Sequence, residues 1–151
     1  MLFQGVLPIK VDSKGRAGVP KEYRELFAKE GQDSLVLTSF MVKNAPCLDA
    51  LPVPVWEKFL RKFEKQPQFD EQVEIFGTFY VNPARTVAFD TAGRILIPQP
   101  LREWAQLDHE VVVVGALDRF RFWNAELWTK FHQETAKQFP AAKQALASVL
   151  S

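Results

Sequence analysis

Apolar and polar positions form the same pattern twice along this chain. Each copy opens with an apolar stretch, turns at Asp-x-x-Gly-Arg, resumes in a short apolar run and reaches a proline, behind which apolar residues recur at helical spacing. The two polar turns are residues 12–16 and 90–94. The pattern therefore predicts strand, tight turn, strand and helix in each half of the chain.

Each turn is built from residues whose chemistry suits a tight reversal. The carboxylates of Asp12 and Asp90 can accept hydrogen bonds from backbone N–H groups, and Gly15 and Gly93 can supply a positive φ angle. Arg94 can pair with Asp90 across its own turn. We therefore assign these five residues a structural role in the turns.

The repeat extends beyond the turns. Six identities at a separation of 78 residues fall within positions 11–27, and Trp56 and Phe59 recur as Trp128 and Phe131. A half-chain of about 70 residues would be marginal as an independent core, so we expect the copies to fold against each other as one pseudo-symmetric unit. The expected parts are a first domain at 5–53, a helical connector at 54–81, a second domain at 82–125 and a C-terminal helix and tail at 126–151.

Shorter patterns predict further elements between the turns. Residues 35–38 predict a short strand that ends in a loop near 43–46. Asp70 is placed to cap a short helix that Gly77 ends. The four valines at 111–114 predict a strand that is covered on both faces.

Composition and charge leave the class of partner open. The chain has 151 residues, and its nineteen basic and eighteen acidic side chains give a net charge of +1, which neither predicts nor excludes nucleic acid. No stretch has the length of a membrane span and the N-terminus lacks a signal-peptide pattern, so we expect a cytoplasmic protein without a membrane partner. For Cys47, the only cysteine, a buried apolar role is favoured over a reactive thiol.

Residues that could carry out catalysis do not cluster in the sequence. His109 and His132 lie apart, with no cysteine or carboxylate at ligand spacing around them. Gly15 and Gly18 do not define a phosphate loop, since the second copy has Leu96 in place of the second glycine. We therefore expect no enzyme activity, no metal, no cofactor and no small-molecule substrate.

The two copies differ most in charge. The second copy keeps only Arg94 and Arg102, whereas the first turn and its flanks carry Lys10, Lys14, Arg16, Lys21 and Arg24. A turn with Lys and Arg at its tip suits contacts to phosphates and bidentate contact with guanine, so we predict that the first set binds DNA. Arg16 could instead pair with Asp12 across its own turn, and both interpretations stay open. For Arg94 the structural pairing is favoured.

The aromatic residues, thirteen Phe and four Trp, are expected to lie mostly in the core. Stacking on single-stranded bases needs aromatics interleaved with basic residues on a strand, and only residues 119–123 approach that pattern. This stretch alternates as a half-exposed strand does, and Asn124 behind it can cap a helix.

With these motifs placed, the chain resembles the MraZ family, whose members consist of two swapped-hairpin domains like that of AbrB. The resemblance spans nearly the whole chain. It rests on Asp12-Ser13-Lys14-Gly15-Arg16 with Val19-Pro20 and Tyr23-Arg24-Glu25, on Asp90-Thr91-Ala92-Gly93-Arg94 with Leu101-Arg102, on Phe3-x-Gly5 and on Pro54-x-Trp56-Glu57.

The resemblance implies an α+β, β-rich fold in which two tandem swapped-hairpin halves form one pseudo-twofold, barrel-like unit with flanking helices. It also implies a sequence-specific, nucleoid-associated regulator that binds double-stranded DNA. Such a protein represses its own operon, in the division and cell-wall gene cluster, by binding repeated promoter boxes as an oligomeric ring. In the family the first turn faces DNA, which corresponds to Lys14 and Arg16. The alternative is a structural oligomerisation module or an antitoxin-like, protein-binding module of the same fold.

Overall fold

The computed structural model describes residues 1–151. The first copy of the repeat forms β1 (Val6–Lys10), β2 (Arg16–Gly18), α1 (Lys21–Lys29), β3 (Ser34–Val42), β4 (Ala45–Pro52) and α2 (Val53–Glu64). Between α2 and the second turn lie α3 (Glu71–Phe76) and a π-helical segment (Gly77–Val81). The second copy forms β5 (Arg85–Ala88), β6 (Arg94–Leu96), α4 (Gln99–Trp104), β7 (Glu110–Ala116), β8 (Arg119–Asn124) and α5 (Ala125–Ala136), and α6 (Phe139–Leu150) ends the chain.

The fold is α+β, with strands of both copies joined in one antiparallel sheet. The sheet has the order β1-β7-β8-β4-β3-β5, and a separate two-stranded ribbon consists of β2 and β6. The counterparts in the two copies are β1 and β5, β3 and β7, and β4 and β8. When each strand is replaced by its counterpart, the same order is read from the other edge of the sheet. In the sheet, β1 pairs with β7 and β5 pairs with β3, so each copy's first strand bonds to the other copy's third strand.

The barrel-like arrangement expected above is not what the strand ladders form. The six-stranded sheet has two edge strands, β1 and β5, and the ribbon is hydrogen-bonded as a sheet of its own. Pro8 lies in the edge strand β1, where the missing N–H of a proline is tolerated. The sheet is therefore open.

The main core lies between one face of the sheet and the layer made by the ribbon, α1 and α4. It is a single cluster of 18 buried residues drawn from both copies. At its centre the Phe3 ring lies 5.0 Å from the rings of Tyr23 and Phe120. Burying one such aromatic ring contributes about 1.5–3 kcal/mol, so the shared core strongly couples the two copies.

The repeated aromatic pairs beyond the turns occupy matching places on α2 and α5. The rings of Trp56 and Phe59 lie 5.2 Å apart, and those of Trp128 and Phe131 lie 5.9 Å apart. Trp56 belongs to a smaller buried cluster that includes Tyr80 of the π-helical segment. No helix of the chain has both the length and the apolar character needed to cross a membrane.

One local prediction is corrected by the way the chain packs, and a second is confirmed. The loop expected near 43–46 is a tight hairpin turn with Lys43 at φ 56°, so β3 extends to Val42 and is longer than the predicted strand at 35–38. The short helix predicted after Asp70 is confirmed, since α3 ends at Phe76 with Gly77 as its C-cap. Gly77 keeps right-handed helical angles, so the chain continues directly into the π-helical segment. A Cβ at this position would lie 3.3 Å from Cζ of Phe63, which is a tight contact.

The valine run of β7 is also less buried than expected. Val111 and Val113 are buried in the main core, whereas Val112 and Val114 are only half-buried on the other face. The prediction of a strand covered on both faces is therefore wrong. Residues 119–124 form the predicted strand β8, and the Asn124 side chain accepts a hydrogen bond from the Leu127 N–H at the start of α5.

Candidate nucleic-acid interface

The first turn is closed by the carboxylate of Asp12. Its Oδ1 accepts hydrogen bonds of 2.9 Å from the N–H groups of Lys14 and Arg16, and its Oδ2 accepts one of 2.7 Å from Arg16 Nε. Gly15 takes a φ of 87°, which only glycine adopts readily. The backbone N–H of Arg16 and its guanidinium lower the pKa of Asp12 to about 2, so the carboxylate stays charged at neutral pH.

The second turn repeats this geometry. Asp90 accepts from the N–H groups of Ala92 and Arg94 at 2.9 Å and from Arg94 Nε at 3.0 Å, while Gly93 takes a φ of 75°. The N–H of Arg94 lowers the pKa of Asp90 in the same way. The Arg16 and Arg94 side chains are 36% and 38% exposed. The pairing that the sequence favoured for Arg94 is thus present in both turns.

The ribbon brings both arginines onto one surface. In its register Arg16 lies opposite Leu96, and Arg94 lies opposite Gly18. The central pair, Ala17 and Ile95, is buried against the core, so side chains on either side of it point outward. Arg94 Nη1 lies 3.9 Å from the Asp12 carboxylate of the other turn. The two turns, 78 residues apart in sequence, are therefore one outer surface, which we call the ribbon face.

The remaining predicted basic residues differ in exposure and in their hydrogen bonds. Lys10, Lys14 and Lys21 are exposed, and Lys21 lies 3.9 Å from Glu25. Arg24 is half-buried, and its Nε donates a 2.9 Å hydrogen bond to the carbonyl of Val19. Arg24 is thus held to the backbone, unlike the three lysines.

One contact at the ribbon was not found by sequence reasoning. Arg102, to which the sequence assigned no role, donates from Nε to the carbonyl of Ile97 at 3.0 Å, and its guanidinium lies against Gly15. The signal available was its recurrence, since Arg102 occupies in the second copy the place of Arg24 in the first. Only the folded structure shows which turn it touches.

The stretch 119–123 offers no platform for stacked bases. Phe120 and Phe122 are buried in the main core, and Trp123 is buried against α5. Arg119 and Arg121 lie on the face of the sheet opposite to the two phenylalanines. There they meet a carboxylate from the first copy.

That carboxylate is Asp49, which is completely buried in β4. Its Oδ1 accepts from Arg121 Nε at 2.8 Å, its Oδ2 accepts from the Tyr80 hydroxyl at 2.6 Å, and Arg119 Nη1 lies 3.6 Å away. Burial and the Asp49 charge raise the pKa of Tyr80, so its hydroxyl stays a donor. A fully buried charge with paired partners of this kind has a structural role.

Cys47 lies in the same strand and is buried, as the sequence favoured. Burial raises the pKa of its thiol to about 12, which keeps it protonated and unreactive at neutral pH. No group of three or more His, Cys, Asp or Glu side chains is placed to hold a metal ion.

The fold and the ribbon face define a duplicated α+β protein with a paired basic turn. A family model described as "MraZ protein, putative antitoxin-like" matches residues 81–149. A protein named transcriptional regulator MraZ from Thioalkalivibrio sulfidiphilus is 35% identical over 91% of this chain and 89% of its own length. One of the same name from Methylococcus capsulatus is 37% identical over 88% and 86%. The chain belongs to the MraZ family.

The likeness extends to a further relative of the same name. A transcriptional regulator MraZ from Leuconostoc mesenteroides is 34% identical to this chain over 91% of its residues and 92% of the relative. Because these alignments run through nearly the whole of each chain, they span both copies of the repeat and the connector.

Proposed function

We propose that this protein is a sequence-specific transcription regulator that binds double-stranded DNA through the ribbon face. The observation that carries the proposal is the convergence of two arginine-bearing turns on the outer surface of one two-stranded ribbon. A ribbon of two strands fits the major groove, and an arginine there can bind guanine through two hydrogen bonds. The names of the relatives support the same function.

The basic residues divide into two roles in this proposal. Arg16 hydrogen-bonds inside its turn through Nε, so its Nη groups can face bases. Lys14 contacts DNA at the tip of the turn, and Lys10, Lys21 and Arg24 supply positive charge beside it for phosphates. Asp12, Gly15, Asp90, Gly93 and Arg94 keep the two turns in shape.

The reciprocal strand pairing supports the swapped-hairpin description of the halves. Each copy's first strand bonds to the other copy's third strand, and the buried cluster is common to both. We place the two DNA-binding halves at 5–53 and 82–125, with 54–81 as the connector and 126–151 as the C-terminal helix and tail.

We further propose that the protein acts as an oligomeric ring on repeated promoter boxes and represses its own operon in the nucleoid. One ribbon face with a net charge near zero gives few phosphate contacts, so useful affinity needs several faces bound together. Exposed apolar surface is available for assembly on α6, where four large apolar side chains are exposed: Phe139, Leu146, Val149 and Leu150. Light scattering should give a mass several times 17.3 kDa.

The direct test is a fluorescence-anisotropy titration on the duplex that lies upstream of the protein's own gene. A shuffled duplex of equal length and composition is the control, and both titrations are repeated at several salt concentrations. We expect tighter binding to the promoter duplex and a linear fall of log affinity with log salt. Equal affinity for the two duplexes would contradict sequence specificity, and a flat salt dependence would exclude DNA as the partner.

The protein-binding alternative is favoured by one observation, an apolar groove beside the connector. Its volume is about 420 Å³ and its lining includes Phe40, Met41, Ile75, Phe76, Phe79 and Trp104. The description of the family model as antitoxin-like points the same way. Under our proposal, the Phe79→Ser variant should bind the promoter duplex as the wild type does. If the variant folds but has lost this binding, the groove is required for activity, which would favour the alternative.

A further inference from the structure

Arg102, on α4 of the second copy, is positioned against the turn of the first copy. Its Nε is fixed by the 3.0 Å hydrogen bond to the Ile97 carbonyl. A Cβ built on Gly15 would lie 2.6 Å from Cζ of Arg102, so the guanidinium occupies the space that any other residue at Gly15 would need. The backbone N–H of Ile97 also donates to the Gly15 carbonyl at 2.9 Å. Arg102 and Ile97 thus hold the tip of the first turn from two sides.

Arg24, on α1 of the first copy, holds the second turn in the equivalent arrangement. Its Nε donates to the Val19 carbonyl, and the Val19 N–H donates to the Gly93 carbonyl at 3.3 Å. A Cβ on Gly93 would lie 2.6 Å from Nη1 of Arg24. Each copy therefore supplies the arginine that packs on the other copy's turn.

We call this arrangement, in which each copy's helix arginine packs on the other copy's turn, the crossing. From it we infer that Arg102 is a positioning residue for Arg16, and that Arg24 is the positioning residue for Arg94. A glycine at positive φ has several accessible conformations, and a planar guanidinium packed on it removes most of them. A pre-ordered turn presents its arginine to DNA without an ordering cost at the moment of binding. As far as it concerns DNA affinity, this inference rests on the proposed function. It gives Arg102 a role different from direct contact, and it adds a positioning role at the second turn to the charge that Arg24 supplies.

The crossing can be tested without DNA by amide hydrogen exchange on the free protein. Arg102→Ala should speed exchange of the Arg16 amide about tenfold or more, by loss of the hydrogen-bonded turn geometry, and should leave the Arg94 amide unchanged. Arg24→Ala should do the reverse. If each variant instead loosens the turn of its own copy, or neither turn, the inference is wrong. Should Arg102→Ala not fold, Arg102→Lys serves the same test, because it keeps the charge and removes the planar group.

A second measurement separates positioning from direct phosphate contact. If Arg102 acts only through Arg16, the double variant Arg16→Ala/Arg102→Ala should bind the promoter duplex no more than about twofold more weakly than Arg16→Ala alone. Arg94→Ala/Arg102→Ala should show the product of the two single effects. Multiplicative effects for Arg16 with Arg102, together with full rescue by Arg102→Lys, would show a phosphate contact and overturn the inference.

The two measurements also separate the inference from the proposed function. If wild-type protein shows no preference for the promoter duplex, the proposed function fails, while the exchange result still decides whether the arginines hold the opposite turns. If the promoter is bound and the exchange pattern is not crossed, the inference fails alone.

Discussion

The two turns share their geometry and differ in their charge. Each closes around an aspartate that accepts from two backbone N–H groups and one arginine Nε, and the two arginines are nearly equally exposed. The lysines beside the first turn correspond in the second to uncharged residues, namely Ala88, Ala92 and Gln99. The residues that the two turns share are those that make these hydrogen bonds, and the lysines make none of them. Under the proposed function, this asymmetry favours the first turn as the principal DNA contact.

A second difference lies at the centre of the sheet. Asp49 and Arg121 occupy matching places, since their separation of 72 equals that of Trp56 and Trp128, and they lie directly opposite each other between β4 and β8. The pseudo-twofold axis passes through this pair. Identical residues here would face each other as two carboxylates or two guanidiniums, so the difference favours pairing of unlike halves.

The largest expected effect comes from breaking this central pair. Arg121→Ala leaves a completely buried carboxylate with one fewer partner, and should lower the free energy of unfolding by about 3 kcal/mol. Urea denaturation measures it, with Arg119→Ala as the control, because Arg119 lies 3.6 Å from Asp49 and should cost less. The apolar double variant Asp49→Leu/Arg121→Leu should recover part of the stability. If Arg121→Ala and the wild type have the same free energy of unfolding, the pair of Asp49 and Arg121 does not stabilise the fold.

The next effect compares the two turn arginines in DNA binding. Arg16→Ala should weaken binding to the promoter duplex by about 1–3 kcal/mol for each guanine that the arginine would bind through two hydrogen bonds, and Arg94→Ala should weaken it less. Their melting curves should differ little from each other, since each arginine makes the same half-exposed ion pair in its own turn, and such pairs contribute little to stability. If Arg94→Ala weakens binding more than Arg16→Ala, the second turn is the principal contact.

Making the two turns more alike should have a smaller effect, visible in the salt dependence. Ala92→Lys places at the second tip the charge that Lys14 gives the first, and should steepen the slope of log affinity against log salt by about 0.9 for each additional phosphate neutralised. Lys14→Ala should flatten the slope by the same amount. Lys58→Ala, on the exposed side of α2, is the matched control and should not change it. An unchanged slope for both turn variants would show that the DNA phosphates contact other residues than those at the turn tips.

The smallest effect concerns the helices that follow each copy's last strand. Asn124 caps α5 with its side chain, whereas α2 begins after Pro52 without a side-chain cap. Asn124→Ala should therefore lower the free energy of unfolding by about 1 kcal/mol in urea denaturation. Asn124→Ser retains a capping oxygen and should retain most of the stability. If Ser and Ala cost the same, the Asn124 bond to the Gln106 carbonyl is the contact that matters.

Much of the local structure follows from the sequence. The two turns, the helices after Pro20 and Pro98, the cap at Asp70 and the alternating strand 119–123 form where residue chemistry places them. These features depend on neighbours within a few positions, so their causes are contained in short stretches of sequence. The burial of β7 was wrongly predicted for the complementary reason. Whether Val112 and Val114 are covered depends on which elements pack on that face of the sheet, and only the fold determines this.

What the sequence determined by itself is the repeated frame, the family and the charge difference between the copies. What only the tertiary structure decided is which residues meet: that the two turns share one ribbon face, that Arg102 packs on Gly15 and Arg24 on Gly93, and that Asp49 is paired with Arg121. A pattern along the chain defines each element and its buried face. The choice of strand partner depends on contacts across the whole fold, and in this protein every strand of the sheet pairs with at least one strand whose position no local pattern specifies.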